Sequence, residues 1–310
     1  MKLSSRVAKR LNIFFLSFSI LLILFLVLLI GYEKIYSAVI SADSLLLVMS
    51  LPFIGMAFLV RILKTWLFFR RFDIYTSVKK AGAFVFAVNM LGSVSPFRSG
   101  EITASLSVSK PKRKKTLSVI IIDRFLEMMA SLALILISSL FVQQSLVSNY
   151  RVFILIGILA AIFIAILIFG ERFWEFRRHL KSLTPGFLSL AFTLAVIATL
   201  FESAYLLFIF RAFSIEVTFI FAVFLQQTAN AIAVLASLPG GLGSREAYLM
   251  TVLSGMGFLP SAAISSEFIY KAISWIIFLP LGAHSLFYLE KEKIKQARNR
   301  SSHQEHVPCF

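Results

Sequence analysis

With Cys309 as its one cysteine, the 310-residue chain has no means of forming an intramolecular disulfide. Acidic residues are scarce, 15 Asp and Glu against 31 Lys and Arg, for a formal net charge of +16. No Walker phosphate loop, HExxH or GxSxG occurs, so neither nucleotide-driven pumping nor a standard hydrolase is indicated. Histidine is equally sparse: His303 and His306 sit with Cys309 on a polar C-terminal stretch, where no ordered metal site is expected. The sequence calls for no cofactor.

What the chain does have is apolar length. Hydrophobic residues make up 59% of it and the mean hydropathy is +0.88, with several runs near the ~20 residues that cross a bilayer as helix. The expected fold class is an all-α integral membrane protein. The apolar core of Leu11 to Tyr32 is longer than a secretory h-region, which predicts an uncleaved anchor. On a soluble protein the positive charge would suggest nucleic acid; here Lys and Arg cluster beside the apolar runs, as positive-inside signals do, and no nucleic-acid partner is expected.

Those basic clusters predict a topology. The N-terminus, with Lys2, Arg6, Lys9 and Arg10, is cytoplasmic, and Leu45 to Phe69 returns the chain to Arg70, Arg71, Lys79 and Lys80. Ala81 to Val108 has basic flanks at both ends and contains Ser95-Pro96-Phe97-Arg98-Ser99-Gly100-Glu101, so it reads as a re-entrant hairpin. Leu117 to Val142, Val152 to Phe169 and Gly186 to Phe210 are full spans. Val217 to Gly257, broken by Ser237-Leu238-Pro239-Gly240-Gly241-Leu242-Gly243-Ser244-Arg245-Glu246, is a second hairpin from the opposite face, and Ile264 to Leu289 runs inward to a basic tail. The expectation is about six full spans plus two re-entrant or broken-helix hairpins, with both termini in the cytoplasm. They form one polytopic domain over residues 1–290, with a tail at 291–310.

The two breaks lie about 143 residues apart, and the runs around them repeat as span, span, hairpin, span, over about 11–142 and 152–289. An odd number of spans per half makes this an inverted internal repeat, an arrangement that places a substrate site at the midplane where the halves meet.

The candidate site residues follow from the breaks. Interrupted helices leave unpaired N–H groups suited to phosphate; Gly240, Gly241 and Gly243 would let backbone approach a headgroup, and Arg98 and Arg245, beside Glu101 and Glu246, could supply forked donors. Ser244 is expected to cap a helix starting at Arg245, and Ser95 one with Pro96 at its first position. The plainer reading is an ordinary loop in which each arginine pairs with the glutamate beside it. A second set, Asp123, Arg124, Glu127, Glu202, Glu267 and Lys271, falls inside apolar runs, where a charge costs about 2.5–3.5 kcal/mol and should turn inward and pair. Glu267 occupies the position related to Arg124 by the repeat. These six are candidates for coupling or for structural ion pairs. Arg61 and Lys64 are expected only to snorkel toward headgroups.

The pieces Ser95 to Glu101, Ile122-Asp123-Arg124-Phe125-Leu126-Glu127 and Leu238 to Glu246, in this order and over nearly the whole chain, resemble the lysylphosphatidylglycerol synthase transmembrane, or flippase-like, family. The resemblance implies a domain that moves a modified phospholipid between leaflets, while a separate soluble domain attaches lysine to phosphatidylglycerol. With about twenty residues after the last span, the aminoacyl-transfer activity is not expected here. Three readings stand: a translocator of a phospholipid or lipid-linked sugar in the cytoplasmic membrane; a membrane enzyme acting on such lipids through Glu101, Asp123 or Glu246; and a membrane partner of a separately encoded synthase. Expected ligands are anionic or aminoacylated phospholipid or lipid-linked sugar.

Overall fold

The computed structural model describes residues 21, 24–25, 27–29, 31–93, 95, 100–108, 112–142, 183–236, 238 and 241–304. Most of the expected first span, all of Val152 to Phe169, and Pro96, Arg98, Pro239, Gly240, His306 and Cys309 lie outside these residues. Among the described residues every regular element is helical: α1 (Tyr32–Ile40), α2 (Ser44–Arg71), α3 (Val78–Ser93), α4 (Gly100–Ala104) with a 3-10 turn (Ser105–Ser107), α5 (Arg113–Ser139), α6 (Pro185–Ala212), α7 (Phe219–Ala236), α8 (Ser244–Gly255) and α9 (Pro260–Gln304). Four stretches are long and apolar enough to cross a membrane: Ser44–Arg71, Pro185–Ala212, Phe219–Ala236 and Pro260–Glu292. The 27-residue α5 is as long but carries Asp123, Arg124 and Glu127.

Helices α2 and α6 are built alike. Each has 28 residues, starts on a side-chain cap and ends on a left-handed residue. The Asp43 carboxylate accepts from the Leu45 and Leu46 N–H groups, and the Thr184 hydroxyl accepts from Phe187 N–H, with Pro185 following at the favoured first position. At the other end Asp73 (φ 54°) and Ser214 (φ 57°) turn the chain, and Ile74 and Ile215 N–H bond back to the carbonyls of Phe69 and Phe210. That six-to-one bond satisfies a carbonyl the helix end would leave open, at the expense of a non-glycine residue in the left-handed region. Both the caps and the left-handed residues of the two helices lie 141 residues apart.

The two helices pack side by side. Buried apolar residues of α2 (Ile54, Phe58) join Leu206, Ile209 and Phe210 of α6 and the faces of α7, α8 and α9 in one cluster. A second cluster unites the end of α2 (Phe68, Phe69) with α3, α5 and the start of α6. Much of the remaining apolar surface faces outward, with Leu28, Leu45, Leu59, Leu140, Leu259 and Ile276 among the exposed residues, as expected where the solvent is lipid.

The C-terminus departs from the sequence reading. The last span is expected to end at Leu289 with a basic tail after it, yet α9 continues without interruption to Gln304 and includes His303. The extension begins among contacts that hold it: the Lys80 ammonium lies 2.6 Å from Glu292, and Lys79 sits over the Tyr288 ring.

Candidate functional site

Both backbone breaks are closed by short-range hydrogen bonds. At the first, the Ser95 hydroxyl donates to the Leu91 carbonyl and accepts from Gly100 N–H, each at 2.7 Å. Ser95 therefore bonds to the first described residue of α4, Gly100; the expected helix start at Pro96 lies outside the described residues. At the second, Gly241 takes φ +66° and a Cβ there would stand 2.5 Å from Cβ of Ala233, so both the turn and the close approach to α7 call for glycine. The expected cap is also corrected: Ser244 is the first residue of α8, and its hydroxyl donates to the Gly241 carbonyl. The Glu246 carboxylate does the capping, accepting from Gly243 N–H at 2.7 Å.

Behind each break lies a charged network. In the first, Arg124 on α5 meets Glu101 on α4 at 2.5 Å and also pairs with Glu127. The Lys64 ammonium, fully buried on α2, is shared between Asp123 at 2.8 Å and Glu127 at 2.9 Å. Arg61, one turn earlier, reaches Glu202 on α6 at 2.5 Å and Glu127 at 3.5 Å. Snorkelling is thus overturned for both cations: they point into the bundle, because the carboxylates of α5 and α6 stand there and a buried carboxylate without a cation is costly. A crevice with about 20 Å³ of internal room opens beside Arg61, Asp123, Arg124 and Glu127, flanked by Val88 and Asn89 of α3, space for one water.

In the second network Arg245 is held on four sides. Its Nε and Nη2 fork onto the two oxygens of Glu267 at 2.6 and 3.3 Å, Nη2 also donates to the Gln226 amide oxygen at 2.9 Å, and Nη1 donates to Asn230. The guanidinium lies over the Tyr270 ring, 5.0 Å from its centroid. Lys271 donates to Glu246 at 2.6 Å and to the Gly241 carbonyl at 3.3 Å. Each charge is thus paired across helices: Arg245 with Glu267 rather than with its neighbour Glu246, and Lys271 with Glu246 rather than with Glu267 four residues back. A forked, fully hydrogen-bonded pair of this kind is the geometry in which burial of charge is best compensated.

The two networks share one contact scheme. Glu101 and Arg245 are the second residues of α4 and α8, and each pairs with the residue 23 or 22 positions later on the following long helix, Arg124 or Glu267, with the signs reversed. Lys64 meets the Glu127 side chain; Tyr205, its counterpart on α6, donates to the backbone carbonyl of Tyr270, the counterpart of Glu127 on α9. Asn89 and Asn230, alike 141 residues apart, face the two networks. Arg61 and Glu202, 141 residues apart at the same position in α2 and α6, pair with each other.

Of the sequence candidates, Glu101, Asp123, Arg124, Glu127 and Glu202 come together in the first network, and Gly241, Gly243, Arg245, Glu246, Glu267 and Lys271 in the second; Arg98 and Gly240 lie outside the described residues. Sequence reasoning missed Arg61, Lys64, Gln226, Asn230 and Tyr270. The available signal was their spacing, since Arg61 and Asn89 fall 141 residues before Glu202 and Asn230. No group of three or more His, Cys, Asp and Glu suited to a metal occurs among the described residues.

The comparisons with known proteins agree with this architecture. A UPF0104 membrane protein from Methanothermobacter thermautotrophicus (strain ATCC 29096 / DSM 1053 / JCM 10044 / NBRC 100330 / Delta H) is 28% identical, the match covering 87% of this chain and 91% of that protein. The profile of the lysylphosphatidylglycerol synthase TM region matches residues 13–282. Buried charges paired across apolar helices, behind breaks spaced as in the motifs, are thus features of a membrane protein that belongs to the lysylphosphatidylglycerol synthase TM region family.

Proposed function

We propose that the chain is a lipid translocator, carrying a phospholipid or lipid-linked sugar between leaflets of the cytoplasmic membrane, with both termini on the cytoplasmic side and residues 1–290 acting as one domain. The observation that carries the reading is the doubled contact scheme: two backbone breaks, each backed by a buried charged network, joined at Arg61 and Glu202. Ionisable groups inside a membrane protein mark substrate or ion pathways, and broken helices at matching places in two halves mark the binding region of transporters with inverted repeats. Four charged groups that pair in a network can release one another to an incoming phosphate and close again behind it, which a single fixed ion pair cannot do. Arg98 and Arg245 are the proposed headgroup ligands, with Glu101, Glu246 and the glycines Gly240, Gly241 and Gly243 shaping the approach. Anionic or aminoacylated phospholipid and lipid-linked sugar are the candidate cargoes, and a separately encoded synthase would supply an aminoacylated one.

The test is leaflet exchange. Purified protein in liposomes should speed the exchange of a labelled anionic phospholipid, aminoacylated phospholipid or lipid-linked sugar, and Arg98→Ala and Arg245→Ala should each remove the acceleration. No faster movement than in protein-free liposomes, with or without a proton gradient, would end the translocator reading. Chemical alteration of the headgroup would put a membrane enzyme in its place.

A further inference from the structure

The doubled contact scheme is seen in two different conditions. In the first network the Arg124 side chain is 25% exposed and Asp123 and Glu127 are each 16% exposed, all three beside the crevice. In the second the equivalent arginine–carboxylate pair is sealed, with Arg245 at 5% and Glu267 at 0%. Glu246 is also at 0% behind Lys271, and the Thr228 and Tyr248 hydroxyls, 2.6 Å apart, tie α7 to α8 over the break. The first network is thus the more exposed of the two on its Arg124 side, although Glu101, at 4%, is as buried as Arg245.

We infer that these are the two states of a single exchange: the halves swap conformations, so that the Arg245 network opens as the Arg124 network seals, while the Arg61–Glu202 pair stays intact throughout. The inference deepens the translocator reading and rests on its inverted halves. Its physical basis is symmetry. When two repeated halves trade conformations, a pair formed between one residue and its own counterpart is carried onto itself, so its separation does not change. Pairs formed within one half, such as Glu101–Arg124 and Arg245–Glu267, each take on the geometry of the other. The structure supplies both kinds of pair. Arg61 and Glu202 are 141 residues apart on α2 and α6, helices that match from cap to cap at that spacing. The interior also suits a switch between two arrangements over a gradual deformation, because packed interfaces have discrete minima. The charge difference between the halves sets the bias: the forked and amide-supported Arg245 is the better satisfied arginine, which accounts for its half being the closed one here.

The experiment reads conformation without requiring lipid movement. In a Cys309→Ser background, Val88→Cys reports on the crevice and Ala229→Cys on its fully buried counterpart in α7. With a small methanethiosulfonate on purified protein in liposomes, Val88→Cys should react faster. Adding Glu246→Gln, which takes the charge from Lys271, should raise the Ala229→Cys rate by about tenfold and lower the Val88→Cys rate in the same preparation. Thr228→Val loosens the same seal more gently and should shift the two rates in the same opposite directions if Glu246→Gln does not fold. A rise at Ala229→Cys with no fall at Val88→Cys, or a rise at both, overturns the exchange, since it marks local loosening. Opposite shifts produced by these variants, when the parent Cys309→Ser protein itself moves no lipid, support the exchange and remove only the translocator reading.

Discussion

Arg61 and Glu202 face each other at 2.5 Å from the same position in two 28-residue helices. Exchanging the two charges would restore this contact but place a carboxylate at position 61 beside Glu127, 3.5 Å from Arg61. Arg61→Glu and Glu202→Arg alone should each leave like charges buried together and cost at least the ~3–5 kcal/mol of a broken buried pair. The double exchange should recover part of that loss, the rest reflecting the like charge then facing Glu127. Thermal unfolding of the three variants in detergent decides it, and a double variant no more stable than the singles would show that the helices are not interchangeable around the pair.

Lys64 is the other cation that the sequence suggested would reach for headgroups and that the fold buries. Lys64→Met removes the one ammonium that Asp123 and Glu127 share and should destabilise by about 3–5 kcal/mol. Adding Asp123→Asn should return part of it, because Asp123 is the carboxylate left without its cation, while Glu127 keeps Arg124 and Arg61. Equal stability of Lys64→Met and the native protein would mean that the ammonium sits in headgroups after all.

Arg245 and Glu246 separate transport from folding. The fork onto Glu267 needs two parallel N–H groups, which lysine cannot present. Arg245→Lys should therefore keep the charge and the protein's level in the membrane while lowering lipid exchange by about tenfold or more. Glu246→Gln should also abolish transport at near-normal level. Loss of folded protein in both, with rescue when the partner charge is changed too, would make the network purely architectural.

Gly241 carries two separable constraints. Gly241→Ala should cost about 1–2 kcal/mol from its left-handed backbone, plus the clash with Cβ of Ala233. Pairing it with Ala233→Gly should relieve the clash and leave the backbone cost. Full recovery in a stability measurement would mean that the backbone term is absent.

Orientation is tested at the far end of the chain. Cys309 should react with a membrane-impermeant thiol reagent only once the cytoplasmic face is opened. Reaction in intact cells would reverse the topology drawn from the basic clusters.

The sequence was informative wherever one residue type carries its own penalty. Glu267 and Lys271 could be placed inside the bundle because charge in an apolar run has few outlets, and both breaks announced themselves through Pro and Gly. Partner choice was not legible. Glu246 beside Arg245 invites pairing within the motif, yet side chains at adjacent helical positions diverge, and each finds its partner on α9. Arg61 and Lys64 misled for a related reason: nine and six residues before Arg70, they resemble the cytoplasmic end of a span, and only the packing of α2 on α5 and α6 reveals the carboxylates waiting there. The helical course of 291–304 was missed because its composition lacks an apolar face, and α9 carries it as the prolongation of a packed rod.

The length of α9 hides a joint. Its early part is tied to α8 through Glu267 and Lys271, while its later part lies antiparallel along α3, where a Cβ on Gly282 would come within 2.4 Å of Met90 and where Lys80 meets Glu292. Between the two attachments stands Pro280, which has no N–H for the carbonyl one turn back and crowds that turn, the usual cause of a bend within a helix. One rod therefore has two separate attachments with its weakest turn between them: Glu267 and Lys271 fasten it to α8, and Gly282 against Met90 with Glu292 on Lys80 fasten it to α3.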